Sequence, residues 1–241
     1  MIAPLIWKEW HEQRWKIAFG TVMLLSFAGS FMAARIASAR EVTMVIWVLG
    51  GMVLALYSAM GVFAPETSGR TTTFLVSKPV AAWKVFVCKW FFGWLNVAVP
   101  MAACGLAFAI IAFGSGNIGD FGAREIVISV SGIMMATMFY TMTCCLAPRK
   151  SSEAFVGFVG ILVFLAMAIH IMVIETTGLR AGYTEGFTVL QEVVVFVNPY
   201  SWVLLAEFFP SDSRLAVLII VQAALFAVVM WIGLRKWRRS Y

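Results

Sequence analysis

The sequence predicts an all-α membrane protein with six transmembrane helices, and three observations predict it. Of its 241 residues, 62% are hydrophobic and 12% are charged, whereas a soluble domain carries about 25% charged residues. Mean hydropathy is +0.91. Six apolar runs without Asp, Glu, Lys or Arg occupy 17–34, 42–64, 90–113, 126–147, 154–174 and 215–234, and each suffices to cross hydrocarbon about 30 Å thick. In lipid each run must be helical to satisfy its own backbone groups. Spans and short connections use up the chain, so any catalytic domain belongs to another polypeptide.

The N-terminal segment 1–16 is too charged for a signal peptide, because Lys8, Glu9, His11, Glu12, Arg14 and Lys16 interrupt it and no cleavage site follows. On a helical wheel Ile6, Trp7, Trp10 and Ile17 share one face, with Lys8, His11 and Glu12 opposite. Glu12 and Lys16 make an i,i+4 pair. The segment is therefore expected to lie in the membrane interface, with Lys16 marking entry into the first span and Arg14 snorkelling from the apolar face. An ordinary juxtamembrane anchor fits the same pattern.

Basic residues set the orientation. Lys8, Arg14, Lys16, Arg70, Lys78, Lys84, Lys89, Arg149, Lys150, Arg235, Lys236, Arg238 and Arg239 fall on one side of the six spans, against Arg35, Arg40, Arg124, Arg180 and Arg214 on the other. That bias places both termini in the cytoplasm. It also accounts for the net charge of +6 without nucleic acid, since no basic run sits on a soluble fold.

The longest cytoplasmic loop, 65–89, holds Glu66, Gly69, Arg70, Thr71 to Thr73, Phe74, Leu75, Ser77, Pro79, Lys84 and Lys89. Pro79 suits the first turn of a helix, so the loop is expected to contain a short helix among charged, hydrogen-bonding side chains. Such a shape fits docking of a cytoplasmic partner; a solvated loop with interfacial lysines is the alternative. On the other side, 175–214 carries two apolar pieces, 189–197 and 202–209, split by Asn198 and Pro199. Both are too short to span, which predicts re-entrant or interfacial helices.

Chemical motifs are sparse. Gly114 to Gly119 matches G-x-G-x-x-G in letters, but it follows a membrane span rather than a strand and reads as a turn. No G-x-x-x-x-G-K-[ST] occurs, so the chain is not expected to be an enzyme or to bind a cofactor. His11 and His170 lie on opposite sides of the bilayer, which removes a two-His metal site. Cys88, Cys104, Cys144 and Cys145 lack metal-ligand spacing and read as packing thiols. Asn96, Tyr140, His170 and Gln222 are polar residues within spans, and two readings stand for them: a substrate path, or hydrogen bonds between helices. Pro100, Gly157 and Gly160 are candidate sites of kinking or close helix approach.

Trp7, Lys8 and Glu9 ahead of six spans, and a first cytoplasmic loop with Glu66, Gly69, Arg70, Thr71, Phe74, Leu75, Ser77, Pro79, Val80 and Lys89, together resemble the permease subunits of type-2 ABC exporters. In that family the loop runs roughly Glu, Gly-Thr, Leu-Leu, Pro-Val/Ile-Ser and a Lys opening the third span. Here Arg70 separates Gly69 from Thr71, and Ala81 stands where Ser is common.

The resemblance implies a connecting helix bearing Trp7, Lys8, Glu9 and Trp10, and a coupling region at Glu66, Gly69, Arg70, Thr71, Pro79 and Lys84 resting on a separate ATPase subunit. ATP and Mg would bind that partner. It further implies a second permease copy or paralogue, contact with membrane lipid, and residence in a bacterial inner (plasma) membrane. Two other classes remain: a membrane scaffold or assembly subunit, and a secondary transporter, against which the absence of acids within the spans counts.

Overall fold

Backbone groups withdrawn from water must pair with one another, and the described residues do so almost entirely within helices. The computed structural model describes residues 3–33, 46–68, 81–114, 123–146, 152–176, 196–199, 201–202 and 212–238. Six long helices follow in chain order: α1 (Ala3–Ala33), α2 (Gly51–Ser68), α3 (Ala82–Gly114), α4 (Ala123–Leu146), α5 (Glu153–Thr176) and α6 (Asp212–Arg238). A turn of π-helix, Ile46–Gly50, leads into α2. There is no strand among the described residues.

Among the described residues, four stretches are long and apolar enough to cross a membrane: Ile46–Phe63, Ala82–Ile110, Ile128–Leu146 and Ala216–Arg238. Glu153–Ile169 is a shorter apolar stretch within α5. The chain is thus a multi-pass helical protein of membrane composition.

α4 is the hub, packing against α2, α3, α5 and α6, while α1 lies along α3. The start of α3 and the ends of α4 and α6 meet at one pole: the Trp237 indole donates to the Ala82 carbonyl at 3.1 Å, and Lys236 Nζ donates to the Leu146 carbonyl at 3.0 Å. Glu9 near the start of α1 reaches Lys89 near the start of α3. The first turns of α1 and the last turns of α6 therefore lie at the same, basic end of the bundle.

Two expectations about the elements are corrected. The N-terminal segment and the run expected to form the first span make one uninterrupted helix, α1, of 31 residues. Nothing in 3–33 breaks it, since it contains no proline after the first turn. Its packed face is Glu9, Gln13, Ile17, Gly20, Leu24 and Ala28, and Trp7 and Trp10 point away. Glu12 pairs with Lys8 at 3.5 Å instead of with Lys16.

The third helix begins at Ala82, eight residues before the apolar run at Trp90, and carries Lys84 and Lys89 inside it. Its 33 residues span about 50 Å, more than the hydrocarbon needs. The first turns of α3 thus have length to spare for charge. Pro100 is accommodated within this continuous helix.

Close packing explains several glycines. A Cβ on Gly132 of α4 would stand 2.8 Å from Trp47 Cβ, and one on Gly105 of α3 would stand 3.2 Å from the Trp47 ring. These two glycines make the slot that buries the Trp47 indole completely. Gly157 and Gly160 of α5 face Met60 and Leu56 of α2 in the same way.

Candidate functional site

The packed face of α1 would read as apolar but for Glu9 and Gln13, and both are buried. Burial of a charge requires a partner. Lys89 Nζ supplies it at 2.8 Å from Glu9 Oε1, with the two side chains only 3% and 2% exposed. Lys8 Nζ approaches the same oxygen at 4.0 Å from the solvent side. Both residues lie outside the uncharged runs read from the sequence, yet the pair is buried inside the bundle, where the two helices that carry it are in contact.

One turn further along, Asn96 Nδ2 donates to Gln13 Oε1 at 2.8 Å and lies 3.4 Å from Ser58 Oγ, which donates to the Gly93 carbonyl at 2.6 Å. This joins α1, α2 and α3. On the other side of α3, the Trp90 indole donates to Thr141 Oγ1 at 3.2 Å and Trp94 to Thr137 Oγ1 at 2.9 Å. Tyr140 Oη donates to the Trp90 carbonyl at 3.0 Å. Gly93 permits the arrangement, because a Cβ there would run into Tyr140 Oη and Val62. Thr137 and Thr141 also donate to carbonyls four residues back, so each hydroxyl both gives and accepts. The result is a polar seam from Glu9 to Thr137 that ties four helices together.

A second, smaller polar contact lies elsewhere. Gln222 of α6 donates to the Phe196 carbonyl at 2.7 Å, and Asn198 Nδ2 lies 3.4 Å from the Met167 carbonyl of α5. Asn198, Ser201 and Trp202 are buried, so this part of the long connection folds back into the bundle. Four buried atoms have no hydrogen-bond partner among the described residues: Asn96 Oδ1, Gln222 Oε1 and the indole nitrogens of Trp47 and Trp202.

The residues singled out in the sequence are distributed as follows. Glu9, Asn96 and Tyr140 belong to the polar seam, and Gln222 to the second contact. Trp7, Trp10 and Lys8 lie on the exposed side of α1, with Trp7 stacked on His11 at 5.3 Å. Lys84 sits in the first turn of α3 over the Trp83 ring. Glu66 falls in α2 and His170 in α5, but their side chains lie outside the described residues. So do Gly69, Arg70, Thr71 and Pro79.

Sequence reasoning missed Gln13, Ser58 and the role of Lys89. The spacing Glu9, Gln13, Ile17 at i,i+4 placed both polar residues on the stripe that continues as Gly20, Leu24 and Ala28, and that was the available signal. The four cysteines are free. Among the described residues no cluster of three or more His, Cys, Asp or Glu stands within reach of a metal ion.

Fold and seam define a class: a multi-pass helical membrane protein whose N-terminal helix is joined to its bundle by buried polar contacts. Compared with known proteins, the chain matches no protein-family model and no curated sequence.

Proposed function

We propose that this chain is the permease subunit of a type-2 ABC exporter, crossing the inner membrane six times with both termini in the cytoplasm and coupling to a separate ATPase subunit. The observation that carries the reading is the Glu9–Lys89 pair. The resemblance rests on two stretches, the N-terminal Trp7-Lys8-Glu9 and the loop that closes on Lys89, and Glu9 of the first pairs with Lys89 at the end of the second, 80 residues away. A subunit that takes its energy from a cytoplasmic partner needs such a joint, because force applied at the loop must reach the helices. The accumulation of Lys8, Lys84, Lys89, Arg235 and Lys236 at one pole supports a cytoplasmic placement of that pole. Glu9 is engaged by lysines, so it is no free carboxylate for ion-coupled transport.

The test is purification of the detergent-extracted protein together with an ATPase subunit, followed by ATP hydrolysis of the reconstituted pair. Co-purification is expected, and Glu66→Ala or Arg70→Ala should lower hydrolysis tied to transport while leaving membrane insertion intact. A chain that inserts normally yet retains no ATPase would be a scaffold subunit instead. Retention of the ATPase with unchanged coupling in both variants would remove Glu66 and Arg70 from the joint.

A further inference from the structure

The last turns of α6 carry a buried stripe at i,i+4 spacing, Val229, Gly233 and Trp237. Gly233 lets that stripe approach its neighbours, since a Cβ there would stand 2.5 Å from Cys145 Sγ of α4 and 3.0 Å from the Phe86 ring of α3. One turn on, the Trp237 ring lies against Phe63 of α2 at 5.4 Å and Phe86 at 6.5 Å, while Phe63 and Phe86 stack on each other at 5.3 Å. A buried indole N–H needs an acceptor. This one donates to the carbonyl of Ala82, in the first turn of α3, at 3.1 Å. Phe63 and Ala82 bracket the stretch that holds Glu66, Gly69, Arg70, Thr71 and Pro79. A ring 155 residues beyond Ala82 therefore ties together the helix that this stretch leaves and the helix that it enters.

We infer that Trp237 is a positioning residue for the contact with the cytoplasmic ATPase: it fixes the end of α2 against the start of α3 and makes the last turn of α6 part of the joint. The inference rests on the reading of the chain as a permease. Glu9 and Lys89 tie α1 to α3. Trp237 adds α2 and α6, and Lys236 beside it adds the end of α4 through the carbonyls of Cys145 and Leu146. Packed rings and an oriented N–H tolerate little sliding, so a displacement at the start of α3 either moves α6 with it or breaks this clasp. The C-terminal turn, which in the sequence is only a cluster of orienting charge, thereby gains a mechanical role.

Hydrogen–deuterium exchange of the full chain in mixed micelles reads the clasp, and ATP hydrolysis of the chain reconstituted with its ATPase subunit reads the effect. Trp237→Leu loses both the ring and the N–H. Amide exchange should then rise by about tenfold in 60–68 and 82–88 and stay unchanged in 97–104. Transport-linked hydrolysis should fall by about tenfold while the ATPase stays bound. Trp237→Phe keeps a ring and drops only the N–H, so both effects should shrink to about threefold. Trp231→Leu, on the exposed face of the same helix, should change neither.

Unchanged exchange in 60–68 and 82–88 overturns the inference. Exchange that rises evenly along all the helices overturns it too, by making Trp237 an ordinary packing residue. Local loosening with hydrolysis unchanged removes Trp237 from the joint. An unmodified chain that holds no ATPase overturns the permease reading and this role together. An unmodified chain that couples, beside a Trp237→Leu that couples equally well, overturns this role alone.

Discussion

Lys89 and Glu9 are expensive residues to bury. Each must be taken out of water, and the attraction between them offsets that cost only while both are present. Lys89→Met leaves the Glu9 carboxylate buried with Lys8 at 4.0 Å as its remaining neighbour, and is expected to destabilise the protein by about 3–5 kcal/mol. The double variant Glu9→Gln, Lys89→Met removes both charges and should recover most of that loss. Equilibrium unfolding in mixed micelles measures both, and a single variant as stable as the unmodified protein would show that the pair is not buried. The neutral hydrogen bonds of the seam are worth less: Tyr140→Phe should cost about 0.6 kcal/mol, the average for such bonds within membranes. These residues show how far the site was legible. Asn96, Tyr140 and Gln222 stand out in the sequence as polar groups in apolar runs, but whether they face a path or a neighbouring helix depends on what lies opposite. Asn96 lies opposite Gln13, and no local pattern links positions 83 residues apart.

Helices here pack closely only where a small residue lets them. Trp47, on the π turn, fills a slot between Gly105 and Gly132. Gly132→Ala forces the ring or the backbone to shift and should destabilise by about 1–3 kcal/mol. Gly29 is the internal control, because a Cβ there meets nothing within 4 Å; Gly29→Ala should be neutral or stabilising by up to about 1 kcal/mol, through helix propensity alone. The same unfolding assay separates the two, and equal effects would remove Trp47 from its slot. At the pole, Lys236 donates to the last carbonyls of α4 at Cys145 and Leu146, groups that a helix leaves unpaired at its C-terminus. Element extents were legible where charge and apolarity agree. They failed where a lysine looked like an end signal: Lys89 is held inside α3 by a partner that the local sequence does not contain.

At the scale of the molecule, the six long helices among the described residues alternate in direction and bring the end of α6 back to the pole where α1 begins. If all six cross the bilayer, as proposed, cysteines substituted at Ser240 and Ser38 should react with an impermeant thiol reagent from opposite sides of a sealed vesicle. Labelling of both from the same side would require an odd number of crossings between them to be abandoned. The basic pole would then face the cytoplasm, where the joint between α1 and α3, the start of α3 and the last turn of α6 gather.

The sequence by itself determined the environment and the class of structure. A chain with 12% charged residues and long uncharged runs can satisfy its backbone in lipid only as helices, and its lysines and arginines mark one pole of them. Only the tertiary structure decided which polar residues meet. It turned the N-terminal segment from a surface helix into part of a longer one, faced Glu9 and Gln13 inward, and left Trp7, Trp10 and Trp15 outside. The physical reason is that hydrophobicity acts without direction, so it sets which segments leave water. Hydrogen bonds and ion pairs demand a particular partner at a particular distance, and the partners that hold Glu9 and Gln13 inward, Lys89 and Asn96, lie on another helix.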